Sequence, residues 1–210
     1  VQELGEWPLD VCTCDCCTTS SPLHDRGVVL VYRGRGADEI RDTRRVRFDG
    51  QRWPFARGVH ADVCHFAARP VLGPVVVAQG NTLWVAWYTE ASGLPELRAA
   101  RSDDAGDTFT APVTIAKGPH VLGRLSLALA DGHLLLSWLE QSADETQRLV
   151  LGRYDDAWRQ AHHVRVATLS ARGRASGIPR LQWHDDAAWL VWTDVAGDVP
   201  GLHGARVRWP

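Results

Sequence analysis

The stretch Ser102-Asp103-Asp104-Ala105-Gly106-Asp107-Thr108-Phe109 has the form S-x-D-x-G-x-T-aromatic and reads as a tight turn between two β-strands. A carboxylate at Asp104 is placed to accept hydrogen bonds from the amides of the turn. Gly106 supplies the left-handed backbone position, and Thr108 with Phe109 opens the following strand, the ring tucking beneath the sheet. Such a turn announces architecture before chemistry. The question it raises is whether the strands on either side belong to a repeated unit.

Four segments share one pattern: Val28-Val29-Leu30-Val31-Tyr32, Leu83-Trp84-Val85-Ala86-Trp87, Leu134-Leu135-Leu136-Ser137-Trp138 and Trp189-Leu190-Val191-Trp192. Each is short, apolar and ends on an aromatic, and the ends at 32, 87, 138 and 192 are 55, 51 and 54 residues apart. In the last three repeats a strand and a turn precede the segment: residues 74–78 before Gln79-Gly80-Asn81, 125–129 before Asp131-Gly132, and 178–183 before Asp185-Asp186. These are hairpins. A third strand with an arginine follows, ending at Arg101, Arg153 and Arg206, with residues 43–48 filling that place in the first repeat. A turn and an aromatic then lead into a fourth strand at 49–53, 102–109 and 155–158, while the fourth repeat stops at Trp209-Pro210, where its outermost strand would begin.

Four-stranded antiparallel units at a period near the roughly 40–50 residues of known propeller repeats predict an all-β fold, a β-propeller with four blades in this chain. The blades run over about 18–60, 70–117, 123–168 and 177–210, after an N-terminal segment 1–17 that carries a cysteine cluster. A β-sandwich does not predict the same hairpin and aromatic recurring in register.

Composition narrows the function classes. The chain has 210 residues with 45% hydrophobic and 23% charged content, enough for a well-buried domain, and its net charge of −2 gives no basic field for nucleic acid. No apolar run approaches the length of a transmembrane segment. Ten Trp against no Met fits a fold with aromatic strands repeated, and a chain starting at valine reads as processed or trimmed.

The S-x-D-x-G-x-T-F turn, the blade pattern, and Val31-Tyr32-Arg33-Gly34-Arg35 with Glu39-Ile40-Arg41-Asp42 together resemble the bacterial sialidase-like, Asp-box (BNR-repeat) propeller proteins, including secreted ones described as exo-sialidase-like. The resemblance covers the chain from about Cys12 to its end. It implies a six-bladed ring, so that four repeats want additional blades from upstream sequence or another chain. It also implies an extracytoplasmic place, periplasmic or secreted, and a glycan or protein ligand.

Cys12-Thr13-Cys14-Asp15-Cys16-Cys17 is the sharpest chemical feature, four of the five cysteines in six residues. The C-x-C and C-C spacings are tight for disulfides within the cluster. Crowded thiolates suit Cu(I) or Zn²⁺, copper more than a spaced C-x₂-C zinc site. Cys64 and His65 stand as additional ligands from the next blade. Disulfides are the competing reading, Cys64 to a cluster member among them, which leaves an interaction scaffold stapled by cystine.

Sialidase-like catalysis on acidic sugars requires an arginine clamp for a carboxylate, a general acid, and a nucleophile such as tyrosine with an acidic partner. Arg33, Arg35 and Arg41 are the candidate clamp, and Tyr32, Glu90, Glu140 and Asp194 lie near the ends of inner strands. The Arg-Ile-Pro motif of true sialidases is absent, and Gly177-Ile178-Pro179-Arg180 has its residues in the wrong order. The third-strand arginines Arg101, Arg153 and Arg206 recur in every blade, which predicts blade-to-blade packing. A binding propeller with a metal site is therefore the first reading and a glycoside hydrolase the second.

Overall fold

The computed structural model of the chain describes residues 5–36, 38–66, 71–170, 176–196 and 199–209. Pro70 and Pro210, named above as blade limits, lie outside the described residues. Fifteen strands and no α-helix occur among the described residues. Blade 1 comprises β1 (Leu23–His24), β2 (Gly27–Arg33), β3 (Thr43–Arg47) and β4 (Arg57–Gly58), and blade 2 comprises β5 (Val75–Gln79), β6 (Thr82–Thr89), β7 (Glu96–Ser102) and β8 (Val113–Lys117). Blade 3 comprises β9 (Val121–Ala130), β10 (His133–Gln141), β11 (Gln147–Tyr154) and β12 (Gln160–Leu169), and blade 4 comprises β13 (Arg180–His184), β14 (Ala187–Ala196) and β15 (Val199–Val207). Each sheet is an antiparallel meander in chain order, four strands in three blades and three in the last.

The repeat holds at single-residue register. The first hairpin of each blade closes on the pairs His24 with Gly27, Gln79 with Thr82, Ala130 with His133, and His184 with Ala187. Tyr32, Trp87, Trp138 and Trp192 each stand five residues beyond the second member of that pair, so the four aromatics occupy one structural position.

Side-chain alternation then explains why the second strands read as continuous apolar runs. A central strand buried on both faces has no solvent side to mark with polar residues. In β6, Leu83, Val85 and Trp87 pack with Val29 and Val31 of blade 1, while Trp84, Ala86 and Tyr88 pack with Leu134, Leu136 and Trp138 of blade 3. In β10 the opposite face, Leu135 and Leu139, meets Leu190 and Trp192 of blade 4. The three cores are thus the three interfaces between blades.

Of the three recurring third-strand arginines, Arg101 and Arg153 tie blade to blade as expected, and Arg47 does so in blade 1. Arg206 stays within its own blade, its guanidinium 5.1 Å from the centre of the Trp189 ring and donating to the Asp185 carbonyl. Arg47, Arg101 and Arg153 lie across from Val29, Trp84 and Leu135, one register position in successive blades. Arg47 donates to the Ala105 carbonyl at 2.7 Å and pairs with Asp107 at 3.2 Å. Arg101 pairs with Asp156 at 2.6 Å, beside the Trp84 indole N–H, which donates to the Asp156 carbonyl at 2.8 Å. The Arg153 guanidinium lies over the ring of Trp209, 5.7 Å from its centre. Arg47, Arg101 and Arg153 therefore each grip the segment that follows the third strand of the next blade.

That segment in blade 2 is the 102–109 turn. The Thr108 amide and hydroxyl donate to the Asp104 carboxylate at 2.9 and 2.7 Å, and the Gly106 amide donates to the Ser102 hydroxyl at 2.8 Å, with Gly106 at φ +86°. Burial works against the Asp104 carboxylate, but the Thr108 and Ser102 donors outweigh it and bring its pKa down to about 2. The following strand starts later than the sequence pattern places it, at Val113 rather than Thr108; ahead of it the Thr110 amide donates to the Arg101 carbonyl at 2.8 Å, and the Arg101 amide donates to the Thr110 hydroxyl at 3.1 Å instead of to a backbone carbonyl. In blade 1 the delay is similar, with β4 at Arg57–Gly58 well beyond Trp53.

Candidate functional site

In an antiparallel meander the first hairpin and the turn after the third strand share one end of the blade, and the loop after the second strand shares the other with the connection between blades. The Arg and Asp-turn joints occupy the first end. The cysteine segment, the loop 34–42 and the 59–66 connection all lie at the second.

The cysteine segment continues β1 as a broken innermost strand alongside β2. Thr13 pairs with Gly34 and Ser20 with Val31, seven residues on one side against three on the other, so the intervening chain bulges out of the sheet. The bulge carries Cys14, Cys16 and Cys17. Its frame is fixed by the Cys14 amide on the Arg33 carbonyl at 3.0 Å and the Arg35 amide on the Cys12 carbonyl at 2.9 Å. A Cβ at Gly73 would sit 1.8 Å from the Thr18 carbonyl oxygen, so only glycine lets the bulge lie this close to the next blade.

The sulfurs of Cys14, Cys16 and Cys17 lie within 4.8 Å of one another. Cys14 and Cys17 are joined as a disulfide, and Cys16 Sγ is 3.6 Å from Cys14 Sγ. Cys12, Cys16 and Cys64 are free thiols. Of the six sequence candidates, three are thus gathered and three stand elsewhere. Cys12 is exposed. Cys64 is buried, its sulfur accepting the Glu90 amide at 3.3 Å. His65 is exposed, its Nδ1 3.1 Å from the Asp38 carbonyl oxygen.

Arg41 joins these groups. Its Nη1 lies 3.4 Å from Cys14 Sγ, its backbone amide donates to the Cys64 carbonyl, and its Nε and Nη2 donate to Glu39. Arg35 donates to the other Glu39 oxygen at 2.7 Å. First Arg35 and then Arg41 hold the Glu39 carboxyl below its ordinary range. Arg33 is different in kind. Its guanidinium is buried and donates through Nε, Nη1 and Nη2 to the backbone carbonyls of Leu72, Arg41 and Tyr88, tying blade 1 to blade 2 away from solvent. Glu140 accepts the Trp138 indole N–H at 2.8 Å, Glu90 accepts the Tyr88 hydroxyl, and Asp194 accepts the Ser170 and Val195 amides at 3.0 and 2.9 Å.

Two aspartates escaped the sequence reading. Asp10 accepts the Tyr32 hydroxyl at 2.5 Å and pairs with Arg44 at 2.9 Å, while Asp62 accepts the Trp87 indole N–H at 2.6 Å and pairs with Arg98 at 2.6 Å. Tyr32 and Trp87 are equivalent, and Arg44 and Arg98 are their partners across the sheet. The signal was present: Asp10-Val11-Cys12 recurs as Asp62-Val63-Cys64, 52 residues on, which makes Cys64 the blade 2 counterpart of Cys12. Burial and then the bond to Asp10 push the Tyr32 hydroxyl far above the ordinary tyrosine value, so Tyr32 is held protonated.

Two cavities flank this end. One of about 160 Å³ is lined by Asp10, Cys14, Cys17 and Tyr32. The other, about 650 Å³, is lined by Arg35, Asp38, Arg44 and His60 among others.

No protein-family model matches the chain, and no curated protein matches it in sequence. Solved structures do match it in fold. A GH43 endo-arabinanase from Bacillus licheniformis is similar with a TM-score of 0.57 at 14% identity over 90% of this chain and 70% of that one. A xylan β-1,4-xylosidase from Bacillus halodurans has a TM-score of 0.59 at 10% identity, covering 92% of this chain and 40% of that one. A GH32 β-fructofuranosidase from Bombyx mori has a TM-score of 0.52 at 12% identity over 90% and 45%. The fold is therefore a β-propeller of antiparallel blades, four of which are described here. At these identities the likeness extends to the fold alone.

Proposed function

We propose that this chain is the cysteine-bearing part of an extracytoplasmic binding propeller that holds a soft metal ion, copper before zinc, on Cys14, Cys16 and Cys17. The supporting observation is the bulge that brings three sulfurs within 4.8 Å of one another beside the buried guanidinium of Arg41. Three thiolates repel one another, and a bound cation with Arg41 alongside offsets that repulsion. The Cys14–Cys17 disulfide supports the extracytoplasmic place, since such bonds persist in oxidising compartments. The test is elemental analysis of protein reduced without oxygen, loaded with Cu(I) and desalted. About one equivalent per chain is expected, and the variant carrying both Cys14→Ser and Cys16→Ser should retain none. Undiminished copper in that variant sinks the reading.

Carbohydrate is the second reading, favoured by the fold of the arabinanase and xylosidase and by the 650 Å³ cleft beside the same loop. The formed 102–109 turn supports the sialidase-like, Asp-box kinship. Commitment of Arg33 to three carbonyls favours binding of sugar over sialidase-type hydrolysis. Release of fluorophore from a fluorogenic sialoside, or of reducing ends from arabinan, would establish hydrolysis instead.

The ring, on this reading, is completed by further blades. Blade 4 buries Leu190 against blade 3 but leaves Trp189 and Val191, on its other face, each 42% exposed. An apolar sheet face of this kind calls for a covering layer. Light scattering of the isolated chain is expected to show self-association through this face, and a strictly monomeric chain at high concentration contradicts it.

A further inference from the structure

The metal reading above treats the three sulfurs as equivalent, yet two of them are bonded to each other. We infer that the Cys14–Cys17 bond is a redox gate on the ion: the reduced bulge binds one monovalent soft cation of the Cu(I) class through three sulfurs, and closing the disulfide expels it. This inference rests on the proposed metal reading and adds its regulation.

The geometry carries it as follows. With the disulfide closed, Cys14 and Cys17 have no thiolate to offer, and Cys16 is the single free thiol of the trio. One sulfur is a poor holder of any ion. Two electrons and two protons from a dithiol reductant convert the bond to two thiols, the reductant leaving as its own disulfide. Binding the cation then releases the thiol protons to solvent and places three thiolates around it. Little movement is needed, because Cys16 Sγ is already 3.6 Å from Cys14 Sγ.

Access and ion choice follow from the same surroundings. Cys16 and Cys17 are partly exposed, so a reductant can reach the outer sulfur of the bond, while Cys14 is 7% exposed and rests against Arg41. The cavity of about 160 Å³ lined by Cys14 and Cys17 gives the ion a way in. Zinc prefers four ligands in a tetrahedron, and the trio offers three, whereas Cu(I) accepts a three-sulfur shell. Reoxidation by a disulfide of another thiol, through exchange at Cys17, reforms the bond and leaves Cys16 alone with the ion.

The experiment is an anaerobic Cu(I) titration in competition with bicinchoninate, on the oxidised protein, the reduced protein, and protein reduced and then reoxidised with glutathione disulfide. The reduced form should take up one Cu(I), and both oxidised forms should bind at least ~100-fold more weakly. Cys16→Ser, which keeps the disulfide, should weaken the reduced form at least ~10-fold, and Cys17→Ser should remove the dependence on reductant. Cys64→Ser should change neither. Copper-loaded protein that keeps its ion in excess glutathione disulfide overturns the gate while leaving the metal reading standing, and equal affinity in oxidised and reduced protein overturns both. No uptake in either state overturns the metal reading itself. Thermal melts of each variant, reduced and free of copper, unchanged from the reduced parent, keep a folding defect from imitating a lost ligand.

Discussion

Replacing Arg33 by methionine is expected to lower stability by about 3–5 kcal/mol in urea unfolding, although the new side chain is apolar and of similar length. The guanidinium is 2% exposed and satisfies three backbone carbonyls, those of Leu72, Arg41 and Tyr88, at the junction of blade 1 with blade 2. Methionine leaves all three acceptors buried and unpaired, and each such loss costs about 1–3 kcal/mol. Lysine should recover only part of the loss, because a single ammonium cannot span three acceptors held by a planar fork. A change below about 1 kcal/mol for Arg33→Met would mean that water or another group satisfies those carbonyls.

The second large effect belongs to the repeated aromatic position. Trp87→Ala is expected to cost about 3–5 kcal/mol, the range for removing a buried aromatic from a core. Trp87 is 1% exposed, fills the interface with Val29 and Val31, and donates to Asp62, which would otherwise face Arg98 with one oxygen unpaired. Trp189→Ala in blade 4 should cost under about 1 kcal/mol by comparison, since that ring is 42% exposed. Similar losses for the two variants, read by urea unfolding, would contradict the assignment of Trp87 to an interface and Trp189 to an open face.

Much of this fold was legible in the sequence. The aromatic spacing placed four equivalent residues in register, and the recurring arginines announced the joints between blades, because a repeated fold writes its contacts once per unit. Strand limits were less legible. In the 102–109 turn Thr108 and Phe109 read as the start of a strand that begins only at Val113, since aromatic and β-branched residues serve both purposes.

The site was read by residue type, and type alone could not separate Arg33 from Arg35. Both sit in one short arginine-rich run, yet β2 aims one into the interface and leaves the other at the exposed loop. Likewise Cys64 shares a tripeptide with Cys12 but lies in a buried joint, so proximity in the repeat did not become proximity to Cys14, Cys16 and Cys17. Asp10 and Asp62 were not legible because the duplicated Asp-Val-Cys lies outside the strands, where no apolar periodicity marks it.

X-ray absorption at the copper edge, on reduced protein loaded with one equivalent of Cu(I), tests the central proposal most directly. The account predicts a first shell of three sulfurs and no nitrogen, lost on reoxidation together with the metal. A shell containing imidazole nitrogen, or one that survives in the variant carrying both Cys14→Ser and Cys16→Ser, would place the ion elsewhere and contradict it.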